Sequence, residues 1–77
     1  MKKADIESEE FIKKVAERIR TLRKEKGYTN YEDFAFEKGI PRAQFGRYEK
    51  GTDLRISSLK KVADALEIGL EEFFLGI

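Results

Sequence analysis

Cysteine and histidine are both absent from the 77 residues. Their absence removes disulfides and the usual zinc sites as staples, so stability must come from packing alone. Proline occurs once, and glycine is sparse outside positions that look like helix ends. That scarcity favours helices over sheet. No apolar run approaches the roughly 20 residues that a bilayer-spanning helix needs. Nor is there the basic start, apolar stretch and small-residue cleavage site of a signal peptide. The expected location is cytoplasmic, with no membrane partner. A chain of 77 residues has room for one small domain and one core.

Net charge is also nearly absent, at +1. Its distribution is uneven. Residues 1–10 carry −2, residues 11–61 carry +7 and residues 62–77 carry −4. Taken singly, the basic side chains need be no more than solvated helix faces. Taken together, a basic middle between acidic ends orients the molecule in the field of a polyanion, with both termini turned away.

Local signals divide the chain into five helices. Residues 1–8 read as a flexible segment, and residues 9–77 as a single domain. Ser8 is the expected N-cap of the first helix, with Glu9 and Glu10 at the favourable end of the macrodipole. Phe11, Ile12, Val15, Ile19 and Leu22 fall at helical spacing on one face, and Gly27 stops the helix. The second helix spans roughly 30–38, opened by a capping box of Thr29 and Glu32. It turns Tyr31, Phe34 and Ala35 inward and stops at Gly39. Pro41 suits the start of a third helix over roughly 42–50, where its missing N–H does no harm. Phe45 and Tyr48 anchor that helix inward, Arg42, Gln44 and Arg47 line one side, and Gly51 ends it. A fourth helix starts at Ser57 or just before it. Leu59, Val62, Ala63 and Leu66 form its buried stripe, and Gly69 breaks it. A last turn presents Leu70, Phe73 and Phe74. The expected fold class is all-α, a compact five-helix bundle. Residues 29–51 within it are two short helices on a glycine turn, the second lined with Arg and Gln. That pattern matches a helix-turn-helix presenting its second helix to DNA.

The ordered set of motifs resembles the Cro and phage-repressor type of helix-turn-helix protein, the XRE family. The resemblance covers about residues 11–74. It rests on RIRTLRKEKG, Thr29, Phe34-Ala35, Gly39-Ile40, the RYEKG of residues 47–51, and Leu59, Val62, Ala63 and Leu66. It implies a lambda-repressor-like DNA-binding domain with double-stranded DNA as partner. It places Arg42, Ala43, Gln44 and Arg47 on the base-contacting side of the third helix. Their chemistry suits that role. Arg can bond guanine O6 and N7 together, Gln can do the same for adenine N6 and N7, and Ala can touch a thymine methyl.

By the same resemblance Thr29 and Asn30 hold a DNA phosphate at the start of the second helix, with Asn30 standing where the family usually has Gln. Arg20, Lys50, Thr52 and Arg55 are further phosphate contacts. Arg23 and Glu49 are implied as a salt bridge between the first helix and the end of the third. Two departures from the family stand out. Gly46 lies inside the third helix, with close packing against the second helix as its expected reason. Leu54-Arg55 replaces the usual Pro-Ser, so Ser57 is expected to take over capping. At least one of Phe73 and Phe74 belongs to the core. Leu70, Phe73, Phe74, Leu75 and Ile77 are the candidate residues of a homodimer interface, which in the family forms at this end.

The leading expectation is a sequence-specific transcriptional regulator, a homodimer on a near-palindromic operator, small enough to stand alone. The alternative is a protein–protein module, such as an antitoxin or adaptor on the same fold. An enzyme is the weakest reading, because no nucleophile–base pair or phosphate-binding glycine loop is present. No cofactor, metal or small-molecule ligand is implied.

Overall fold

A computed structural model of the chain describes residues 3–77, with side chains described from Ile6 onward. Five helices follow in order: α1 (Lys3–Glu25), α2 (Tyr31–Lys38), α3 (Arg42–Lys50), α4 (Ile56–Ala65) and α5 (Leu70–Leu75). No strand occurs among the described residues.

The first helix starts earlier than its cap signal suggests. Ser8 lies inside α1, and Glu9 and Glu10 fall past its first turn. The sequence from Lys3 to Ser8 contains neither Gly nor Pro, so nothing stops the helix there. The result is a helix of 23 residues, about 35 Å long, in a molecule whose longest extent is 39 Å. Val15, Ala16, Ile19 and Arg23 are buried on its inner face. Phe11, expected on that face, is 49 % exposed. It lies two turns into α1, where its ring stacks on Phe74 at 6.1 Å.

The second helix is capped one residue later than the sequence signal placed it. The cap is Asn30 rather than Thr29. Asn30 Oδ1 accepts the Asp33 backbone N–H at 2.8 Å, and Asn30 Nδ2 donates to Asp33 Oδ2 at 3.1 Å. Thr29–Glu32 and Asn30–Asp33 have the same spacing, and Asn is the better cap. Gly39 ends α2 at φ +71, a conformation that glycine enters at little steric cost. The Ile40 N–H reaches the Ala35 carbonyl at 2.9 Å and the Gly39 N–H reaches Phe36 at 3.3 Å. This is a Schellman closure, with Ile40 folded back onto the core. Pro41 then flanks α3, and its carbonyl accepts from Phe45 N–H at 2.9 Å.

The fourth helix begins at Ile56 behind Arg55, with no side-chain cap. Ser57, expected to cap it, sits exposed in its first turn. It ends at Ala65, ahead of Gly69. The reversal falls on Glu67, a non-glycine residue at φ +59, and Gly69 instead flanks the start of α5. Lys26 bonds Glu67 at 3.1 Å across to the end of α1. That bond and the lysine charge hold the Glu67 carboxyl below its ordinary range.

Phe34, Phe45, Phe73, Ile19, Leu66 and Val62 are the largest fully buried side chains. Each such burial contributes roughly 1.5–3 kcal/mol against exposure. Phe34 and Phe45 bring α2 and α3 together with ring centroids 5.1 Å apart. Gly46 allows the same approach at its own level. A Cβ there would lie 3.0 Å from Cε1 and 3.1 Å from Cζ of Tyr31, closer than ordinary carbon contact. In an exposed helix interior Gly46→Ala would raise stability by about 1 kcal/mol. Here that gain is expected only in a Tyr31→Ala background, and to be largely lost when the ring is present. Urea unfolding of the native protein, both single variants and the double variant reads the coupling directly. Equal gains in both backgrounds would show that the ring does not press on Gly46.

Candidate nucleic-acid interface

Helical periodicity splits α3 into two faces. Phe45, Tyr48 and Glu49 form the buried face, while Arg42, Ala43, Arg47 and Lys50 are exposed; Gly46, also buried, lies within the exposed arc beneath the Tyr31 ring. At 3.6 residues per turn the exposed four span an arc of about 140°. Three of them are cationic, and no acid stands in the first turn of α3. Gln44 sits at the boundary, half-buried, and its amide Nε2 donates to the Tyr48 hydroxyl. It shares a shallow groove with Arg47, Arg55 and Ser58, so α3 and the start of α4 meet there.

The helix is held at its C-terminal end by a buried clasp. Arg23 Nε meets Glu49 Oε2 at 2.7 Å and Arg23 Nη2 meets Oε1 at 2.9 Å, a two-pronged fit of guanidinium on carboxylate. Arg23 is 4 % exposed and Glu49 5 %. The remaining prong, Arg23 Nη1, donates to the Tyr28 carbonyl at 2.9 Å. Arg20, one turn earlier, donates through Nη1 to the Glu49 carbonyl. Two arginines of α1 thus fix the end of α3 in both side chain and backbone.

The other sequence-predicted site residues are spread around this helix. Lys50 is exposed at the last position of α3, Thr52 just beyond it, and Arg55 at the start of α4. Gly51 turns the chain between them at φ +105. Thr29 and Asn30 are exposed at the start of α2. There the Asp33 N–H is occupied by Asn30, and Glu32 and Asp33 place two acids in the same turn. Because Asn30 is the cap, the first helical residue is Tyr31, not Asn30. Sequence reasoning assigned no role in the site to Tyr31. Two overlapping capping pairs hid its position.

At the opposite end, Phe73 is fully buried. It therefore leaves the set of candidate interface residues and joins the core. Arg18 bonds its carbonyl at 2.9 Å and that of Glu72 at 3.1 Å, closing α5 onto α1. Leu70 and Phe74 are half-buried, while Leu75 and Ile77 are exposed. Phe11, Ile12, Ile56, Leu59 and Phe74 border an apolar hollow of about 200 Å³. Away from both ends, Tyr28 donates its hydroxyl to Glu37, which raises the phenol above its ordinary range. Among the described residues no cluster has the makings of a metal site, and no helix is long and apolar enough to cross a membrane.

The sequence model of a family described as helix-turn-helix matches residues 19–73, from the middle of α1 into α5. No curated protein and no solved structure matches the chain.

Proposed function

The chain belongs to the helix-turn-helix family of the Cro and C1 type, the XRE family, and is a DNA-binding regulatory protein; from that footing we propose that it reads a specific operator as a homodimer, with α3 in the major groove. The observation that carries this reading is the two-faced α3. Its buried face is locked to α1 through Arg23 and Glu49, and its outer face offers Arg42, Ala43 and Arg47 to a surface beyond the protein. Rigid presentation matters because a bidentate contact tolerates little misplacement. Arg42 and Arg47 would address guanine edges, Gln44 an adenine, and Ala43 a thymine methyl. Gln44 enters this role with one amide hydrogen already bonded to Tyr48, so its contact is oriented as well as constrained.

Phosphate contacts would set affinity and orientation without reading sequence. Lys50, Thr52 and Arg55 flank α3 for that purpose. Arg20 retains guanidinium N–H groups beyond the one given to Glu49. Thr29 and Asn30 would contribute at the start of α2, although the two neighbouring acids weaken any anion site there. The dimer would form through Leu70, Phe74, Leu75 and Ile77. A two-fold pair would carry two copies of α3 to half-sites about 34 Å apart.

Size-exclusion chromatography with light scattering tests the dimer, which is expected in the micromolar range. Binding of duplex DNA is expected to weaken steeply with salt. The slope of log association constant against log salt should be about −0.9 for each phosphate neutralised by a cation. A strict monomer on and off DNA, or binding indifferent to salt, would contradict the reading.

A further inference from the structure

We propose that Tyr48 is a positioning residue for base readout: its buried phenol holds the Gln44 amide with the reading edge turned outward, and so sets the adenine preference of α3. The inference rests on the DNA-facing role of α3 given above. Gln44 and Tyr48 stand four residues apart, one turn along the helix. Gln44 Nε2 donates to the Tyr48 hydroxyl. The two ends of this bond differ in freedom. Tyr48 is 7 % exposed and its ring meets Phe45 edge-on at 6.5 Å, so the core fixes its oxygen. Gln44 is half-buried at the rim, a long unbranched side chain that is costly to order.

The chemistry of the amide lets it serve two partners. Nε2 carries two hydrogens. A two-pronged contact with adenine N6 and N7 uses Oε1 and the hydrogen on the same side of the amide as Oε1. The second hydrogen points the other way and is spare. Given to Tyr48, it anchors the side chain and leaves the reading edge whole. Without that anchor the side chain has other places to go. Gln44 stands on a ridge between two hollows, both bordered by Ser58 of α4. One, of about 120 Å³, runs past Pro41 and Lys61, and the other opens beside Arg47 and Arg55. A loose amide would find space and polar groups in either. The bond to Tyr48, not the shape of the surface, therefore selects the outward conformer. Ordering Gln44 before DNA arrives also removes that cost from binding.

The test uses the full chain and fluorescence anisotropy on a duplex selected for the native protein, a scrambled duplex, and copies of the first changed one base pair at a time. Gln44→Ala identifies the pair that Gln44 reads, as the one where discrimination falls. Tyr48→Phe keeps the ring and its packing and removes only the acceptor. It is expected to lower discrimination at that same pair about three- to tenfold and to leave the other pairs within twofold of native. The double variant should discriminate no worse than Gln44→Ala alone. A tyrosine that serves only the fold would weaken all pairs alike or add its full loss to that of Gln44→Ala, and either result overturns the proposal. So does native discrimination at the Gln44 pair in Tyr48→Phe. NMR of the free native chain is a check that needs no variant. The Gln44 side-chain amide protons should show a nuclear Overhauser contact with the Tyr48 ring, and its absence overturns the proposal. If Gln44→Ala changes no pair while Arg47→Ala changes one, Tyr48 has nothing to position and the role of α3 stands. If the native chain does not distinguish the selected duplex from the scrambled one, both fall.

Discussion

Replacing Glu49 by Ala is expected to lower the unfolding free energy by about 3–5 kcal/mol, because it strands the Arg23 guanidinium in the interior. Both partners are almost wholly withdrawn from solvent, at 4 % and 5 % exposure. Two of the guanidinium's prongs end on Glu49, and only the Tyr28 carbonyl would remain as a partner. A domain of this size has roughly 4–12 kcal/mol of total stability, at about 0.05–0.15 kcal/mol per residue. Losing 3–5 of them leaves the fold marginal, with the unfolding midpoint down by more than about 10 °C. The double variant Arg23→Met/Glu49→Leu separates charge from shape. With both charges gone the interior is apolar and filled, and stability should return most of the way to native or beyond it. Urea unfolding of the native protein and both variants measures this. A loss under about 1 kcal/mol for Glu49→Ala would mean that water reaches the pair as it reaches an exposed one.

The second large effect is expected at the outer face of α3. Each bidentate arginine–guanine contact contributes roughly 1–3 kcal/mol of discrimination. Arg42→Ala and Arg47→Ala should therefore each weaken the selected duplex about 5- to 150-fold. On scrambled DNA the loss should be much smaller, since only one cation's share of the phosphate attraction is removed. Both side chains are exposed and neither lies in the core, so thermal unfolding should be nearly unchanged. Equal losses on selected and scrambled duplexes would reassign the arginines from base edges to phosphates. The Glu49→Ala variant links the two predictions. By loosening the end of α3 it should weaken the selected duplex as well, without removing any side chain of the helix's outer face.

Much of this architecture is readable along the chain because its signals are local. The bounds of α3 follow from Pro41 before it and Gly51 after it. The Gly39 stop and the buried stripe of Leu59, Val62, Ala63 and Leu66 follow in the same way. Errors arise where a local rule has two solutions or where packing decides. Thr29–Glu32 and Asn30–Asp33 satisfy one capping rule, and only the backbone path distinguishes them. Phe11 continues the periodic stripe of α1, but periodicity cannot say how far the neighbouring helices reach to cover it. Phe73 and Phe74 are adjacent and chemically alike, and the short α5 buries one fully and the other in part. Contacts between distant segments are hardest to read. Arg18 closes a helix 55 residues further on, and nothing in the spacing announces it. The phenol of Tyr31 over Gly46 is of the same kind. A glycine inside a helix says that something is close, without saying what.

Sequence-specific reading by α3 is tested most directly by selection from a pool of randomised duplex DNA, run in parallel with the native protein and with Arg47→Ala. The native chain should enrich one near-palindromic site whose half-sites are about one helical turn apart, and Arg47→Ala should relax the choice at one base pair in each half. A native pool that stays as diverse after selection as before would contradict it.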